Sequence, residues 1–179
     1  MVKIELLICL IPATFSAYTD ATKRHLYDYI TIPIFVTGVL FSIYNGTVFN
    51  SLITAAVVFG ILLIMGLYNG ISGGDIKFAT ALAVWFGFPL ILYVILIGAI
   101  SSVIYGIFHL NRLGILKARL QPFIQEIFIR AYYGEKTMPI NSLPENGDTL
   151  PEALPFGTFL TLGAWVVFIL EIQGFVWPI

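Results

Sequence analysis

Residues 78–108 read FATALAVWFGFPLILYVILIGAISSVIYGIF, an uncharged and mostly apolar run that is too long for one membrane span and short for two. A bilayer's hydrocarbon core is about 30 Å thick, which a helix crosses in about 20 residues. Gly87-Phe88-Pro89 offers a break in the middle, because proline lacks the N–H that would continue a helix. Charge decides between one helix and two. With the break, Lys23, Arg24, Lys77, Arg112, Lys117, Arg119, Arg130 and Lys136 fall on one side, eight of the nine basic residues, and only Lys3 lies opposite. Without it, the basic segment after residue 110 would face away from Lys23 and Arg24. Basic residues gather in cytoplasmic loops, so the sequence predicts six helices with both termini outside.

The other apolar runs fit this frame. Helices are expected at roughly 3–19, 29–44, 51–69, 75–88, 89–109 and 156–176. Of the 179 residues, 59% are apolar and 11% charged, and the mean hydropathy is +0.94. A soluble domain carries about 25% charged residues, because its surface must face water. The expected fold class is therefore all-α: a polytopic membrane bundle of about six transmembrane helices, one domain over 1–179, with the lipid bilayer as its solvent. The stretch Lys3 to Ala17 has the outline of a signal peptide, but Glu5 and the unbroken hydrophobicity beyond make it the first membrane helix. The fourth helix is short: from Asp75 to Phe88 it rises about 21 Å, which would leave Asp75 in a recess below the membrane surface.

A net charge of −1 gives no basic footprint for nucleic acid. Cys9 is the only cysteine, which excludes an intramolecular disulfide and a zinc site built on several thiolates. No His-Glu-x-x-His occurs, so neither a metal nor any other cofactor is expected, and His25 and His109 read as interface residues. Cytoplasmic residues 110–155 divide in two. Leu113, Leu116, Leu120, Phe123, Ile127 and Ala131 recur at helical spacing with charges between them, which suggests an amphipathic helix in the membrane interface. From Gly134 to Pro155 prolines and polar residues predict an irregular segment. Asn45-Gly46-Thr47 matches a glycosylation acceptor, a short signal that needs a secretory compartment.

Ionisable groups near a bilayer are costly and mark function. Three carboxylates qualify: Asp20 ending the first helix, Asp28 before the second and Asp75 opening the fourth, all on the cytoplasmic side. Asp20 and Asp75 are 55 positions apart but at one membrane level, where a bundle can bring them together. Around Asp75 the chain reads Gly70-Ile71-Ser72-Gly73-Gly74-Asp75-Ile76-Lys77. Gly73 and Gly74 can reach φ > 0 and admit a close backbone, as a substrate loop would require. They can equally form a capping turn, with Asp75 favoured by the helix dipole.

Together these segments resemble the prepilin peptidase family, membrane aspartic proteases that remove leader peptides from type IV pilin-like precursors. Its motif Gly-x-Gly-Asp, followed by an apolar residue and Lys, is met by Ser72-Gly73-Gly74-Asp75-Ile76-Lys77. A first pattern like Asp-x-x-x-Arg-x-Ile-Pro-Asn is met by Asp20-Ala21-Thr22-Lys23-Arg24-His25-Leu26-Tyr27-Asp28. A last span opening with Pro-Phe/Tyr-Gly-Pro and a Gly-Ala pair is met by Pro155-Phe156-Gly157-Thr158 and Gly163-Ala164. Ser72 stands in place of a glycine, and Leu26-Tyr27-Asp28 brings a third carboxylate. The resemblance implies catalysis by Asp20 and Asp75, a prepilin-like substrate cut after a glycine, and a multi-pass protein of the inner membrane with its site facing the cytoplasm. The four-cysteine cytoplasmic region of long members is not found, so the short, peptidase-only form is expected and N-methylation is not implied.

In the implied chemistry two nearby carboxylates share one proton. One takes a proton from water and the other polarises the scissile carbonyl, assistance of about 10²–10⁴-fold. Asp28 either caps the second helix, the favoured reading, or binds a basic leader. Two other readings stand beside this one. Gly70-Ile71-Ser72-Gly73 spells the Gly-x-Ser-Gly of rhomboid-type serine proteases, with His25 or His109 as base. A transporter or assembly scaffold would instead pair its aspartates with Lys23, Arg24 and Lys77. The sequence leaves the oligomeric state open.

Overall fold

The computed structural model describes residues 5–23, 25–67, 71–112, 114 and 155–175. These form six helices, α1 (Leu6–Lys23), α2 (Asp28–Tyr44), α3 (Val48–Leu67), α4 (Gly73–Phe86), α5 (Leu90–Arg112) and α6 (Phe156–Ile172). No strand occurs among the described residues. Apart from Gly114, the expected amphipathic helix over 113–131 falls outside them, as do the irregular segment up to residue 154, Arg24 and Gly70. Chain contacts define two compact units, one of Met1–Ser102 with Pro155–Ile179 and one of Val103–Leu154. In the second, the described part is the end of α5, where Tyr105 and His109 stack with centroids 5.7 Å apart, and Gly114.

The break inside residues 78–108 is real. Gly87 closes α4 with φ of 63°, its N–H donating to the Ala83 carbonyl at 3.0 Å. The Phe88–Pro89 peptide is cis, and α5 starts one residue later. Helix α1, expected to stop near residue 19, runs on to Lys23. Ala21 and Thr22 allow this, and the Thr22 hydroxyl donates to the Tyr18 carbonyl at 2.8 Å. Asp20 therefore lies inside a helix. Helix α4 starts at Gly73, two residues before the expected Asp75, because Ser72 caps it.

The centre of the unit is α4, which packs against α1, α2, α3 and α6. From Asp75 to Phe86 only Lys77 and Thr80 escape burial, so this helix is apolar on every side and enclosed. Its Trp85 donates from Nε1 to the Ile34 carbonyl at 2.8 Å and stacks on Phe41. Helices α5 and α6 meet through Gly98 and Gly163, where a built Cβ on Gly163 would collide with the Val94 carbonyl. Small residues at such crossings let helix backbones approach in a membrane.

Helices α3 and α5 are long and apolar enough to cross a bilayer, with hydropathy of 2.4 each, yet only 28% and 33% of their spans are buried. A soluble protein would enclose such helices. Here Ile53, Val57, Ile61 and Ile64 of α3 stand exposed, as do Leu92, Leu96 and Ile100 of α5. Helices α2 and α6 are shorter apolar helices of 17 residues.

Candidate active site

Asp20 is 6% exposed, one turn before the end of α1. It faces the first turn of α6, whose backbone N–H groups have no partner within the helix. The Thr158 N–H donates to Asp20 Oδ2 at 2.9 Å. The Thr158 hydroxyl lies 3.3 Å from the same oxygen and 3.0 Å from the Ala17 carbonyl. The sequence therefore needs both a carboxylate late in α1 and an unblocked N–H early in α6, and the bundle joins them.

Asp75 is 8% exposed and occupies the first turn of α4. Ser72, extended at φ −74° and ψ 152°, accepts from the Asp75 N–H at 3.3 Å. The Ser72 hydroxyl donates in turn to Asp75 Oδ2 at 2.9 Å. The Gly157 backbone lies near enough to Asp75 to favour its charged form, and Asp20 is within electrostatic reach. Two carboxylates thus approach one helix start, Asp20 bonded to the Thr158 amide and Asp75 beside Gly157. A helix N-terminus favours negative charge, typically by 0.3–1 kcal/mol and up to about 2 when partly buried.

Gly157 is the pivot of this arrangement. A Cβ built on it would sit 3.0 Å from Asp20 Oδ2 and 2.9 Å from Leu26 Cδ1. Only a residue without a side chain lets the Asp20 carboxylate and Leu26 close in together. Leu26, itself buried, also packs on Gly74, whose built Cβ would lie 3.3 Å from the leucine Cβ.

The expected substrate-loop residues are placed differently. Gly73 and Gly74 are helical residues of α4, and neither is among the glycines with positive φ. Ser72 makes the turn from an extended conformation, so the glycines have no need to. Gly73 has open space beside it, whereas Gly74 is crowded by Leu26. Asp28 is the first residue of α2, where Tyr27 occupies the cap position without a side-chain bond. Its carboxylate turns instead to Lys77 Nζ, at 2.8 and 3.1 Å, and both side chains are more than half exposed. Asp28 can meet the α2 dipole from there, but its carboxylate accepts from Lys77 and makes no hydrogen-bonded cap.

Ser72, the nucleophile of the serine-protease reading, has its hydroxyl engaged by Asp75, while His25 lies edge-on to Tyr27 at 4.8 Å. Among the described residues no group of three His, Cys, Asp or Glu could hold a metal. Sequence reasoning missed Thr158 and the bond from Ser72 to Asp75. The Ser-x-x-Asp spacing of 72–75 is that of a helix cap and could have revealed the second. Nothing local signals Thr158, whose partner lies 138 positions away.

Comparison with known protein families matches residues 7–107 to the type IV leader peptidase family. Two curated relatives, each called a prepilin leader peptidase/N-methyltransferase, come from Aeromonas salmonicida and from its strain A449. Each is 28% identical over 99 residues, a match covering 50% of this chain and 34% of the relative. The chain thus spans about a third of the length of these relatives. No solved structure matches.

Proposed function

Because the chain belongs to the type IV leader peptidase family, we propose that it is a membrane aspartic endopeptidase that cleaves the leader of prepilin-like precursors. The observation that carries this reading is the convergence of buried Asp20 and Asp75 on Gly157 and Thr158. Two carboxylates so close share one proton, and that proton belongs to the pair. The ionised member takes a proton from water as the water oxygen attacks the scissile carbonyl carbon. The protonated member gives its proton to the carbonyl oxygen. The C–N bond of the tetrahedral intermediate then breaks, and the amine leaves with a proton returned through the pair. No metal is needed for this sequence.

Six membrane spans, a single domain and a site on the cytoplasmic face of the inner membrane complete the proposal. Up-and-down alternation supports it: the Lys23 end of α1 and the starts of α2, α4 and α6 meet at one end, as the Asp28–Lys77 and Asp20–Thr158 contacts require. The Asp28–Lys77 pair is what a scaffold protein would display, but it leaves two buried carboxylates at Gly157 without a purpose.

The test is cleavage of a prepilin-like precursor by the purified protein in lipid, beside Asp20→Asn, Asp75→Asn and Ser72→Ala. Wild type should trim the leader. Both folded Asn variants should be inactive, a loss of at least the 10²–10⁴-fold that acid–base assistance supplies, and Ser72→Ala should retain part of the activity. A folded Asp75→Asn protein with full activity would sink the mechanism, and a dead Ser72→Ala beside active Asn variants would favour a serine nucleophile.

A further inference from the structure

Two threonines of α6 face α1, one helical turn apart, and they are not equivalent. The Thr161 hydroxyl bonds only to backbone, 3.0 Å from the Gly157 carbonyl and 3.4 Å from that of Ala13. The first lies within α6 and the second reaches α1, and neither touches a carboxylate. The Thr158 hydroxyl instead shares its one proton between two acceptors, the Ala17 carbonyl at 3.0 Å and Asp20 Oδ2 at 3.3 Å, while the Thr158 N–H donates to the same Asp20 oxygen at 2.9 Å. We propose that Thr158 is the positioning residue of Asp20, its hydroxyl fixing the orientation of that carboxylate toward Asp75. This rests on the peptidase reading above.

The physical argument is rotational. A carboxylate at the end of a rotatable side chain swings unless one oxygen is held. The Thr158 N–H is one pivot; the hydroxyl, sharing its proton with the Ala17 carbonyl one turn before Asp20, adds a second direction. A threonine side chain is stiff at χ1, so this anchor moves little. Ser72 plays the matching part for Asp75, where hydroxyl and N–H bind within one capping turn. Each member of the pair is therefore held by a hydroxyl from a helix start. Catalytic groups must be kept within about 0.5 Å of the productive geometry, and a displacement of about 1 Å can cost 10²-fold.

Thr158→Val keeps the N–H, the β-branch and nearly the same volume while removing the hydroxyl. Precursor cleavage by folded, lipid-reconstituted protein should show kcat lowered about 10- to 100-fold and KM little changed. Thr158→Ser should restore most of kcat, and Thr161→Val, which removes a neighbouring interface bond, should leave it unchanged. The carboxyl region of the infrared difference spectrum should shift in Thr158→Val, and the shift should vanish when Asp20→Asn is added. Wild-type kcat in Thr158→Val, an equal loss in Thr161→Val, failure of Thr158→Ser to rescue, or no infrared shift would each overturn the assignment while leaving the aspartic mechanism standing. A wild type that cleaves no precursor would overturn the peptidase reading, and the positioning role with it.

Discussion

At the scale of single residues, four charged groups at this end of the bundle behave in two ways. Asp20 and Asp75 are buried and held by hydroxyl and amide donors, whereas Asp28 and Lys77 pair in the open. Burial strengthens every electrostatic interaction a carboxylate makes, while exposed pairs are screened and worth about 0.2–1 kcal/mol. The proposed chemistry needs the first environment. Asp28→Asn should accordingly shift the thermal midpoint very little and weaken cleavage without abolishing it, since it releases Lys77 near the start of α4 but leaves the pair in place. Melting and kcat/KM measured on one preparation check this; a loss as complete as that expected for Asp20→Asn would make Asp28 part of the catalytic machinery.

At the scale of elements, the site is held by how closely α6 approaches its neighbours. Gly163 sits so near the α5 backbone that any side chain forces the helices apart. Overpacking of this kind costs about 1–3 kcal/mol, and displacement of α6 would carry Gly157 and Thr158 away from the carboxylates. Gly163→Ala should lower both the melting temperature and kcat. Gly60, in the middle of α3 with open space beside it, is the contrast: Gly60→Ala should be neutral or stabilising by up to about 1 kcal/mol through helix propensity, with activity intact. Equal destabilisation by the two would refute the packing argument. The helices themselves were legible in the sequence because each is an apolar run ended by charge, glycine or proline, and the Gly87–Pro89 break followed from charge sidedness. Their ends were less so: α1 runs on past Asp20, and the bond from that carboxylate across to α6 is information that no local pattern holds. The two aspartates were legible from motif spacing, but Thr158 was not. It departs from the proline of the resembled motif, and a proline there would offer neither N–H nor hydroxyl.

At the scale of the whole molecule, the proposed topology makes a prediction that chemistry can read directly. Connector 25–27 joins α1 to α2 at the end that holds both carboxylates, and the Asn45-Gly46-Thr47 turn joins α2 to α3 at the other end. If α2 crosses the membrane in the proposed sense, His25 is cytoplasmic and Thr47 external. Cys9 is the only cysteine and is fully buried in α1, so the wild type should resist a membrane-impermeant maleimide. Thr47→Cys should then label in intact cells, and His25→Cys only after the membrane is opened. The reverse pattern would turn the site to the outer face and contradict the gathering of basic residues on the cytoplasmic side. Labelling of both in intact cells would mean that α2 does not cross at all. The exposed isoleucines and valines of α3 and α5 would then require a protein partner in place of lipid, since water alone does not tolerate so large an apolar surface.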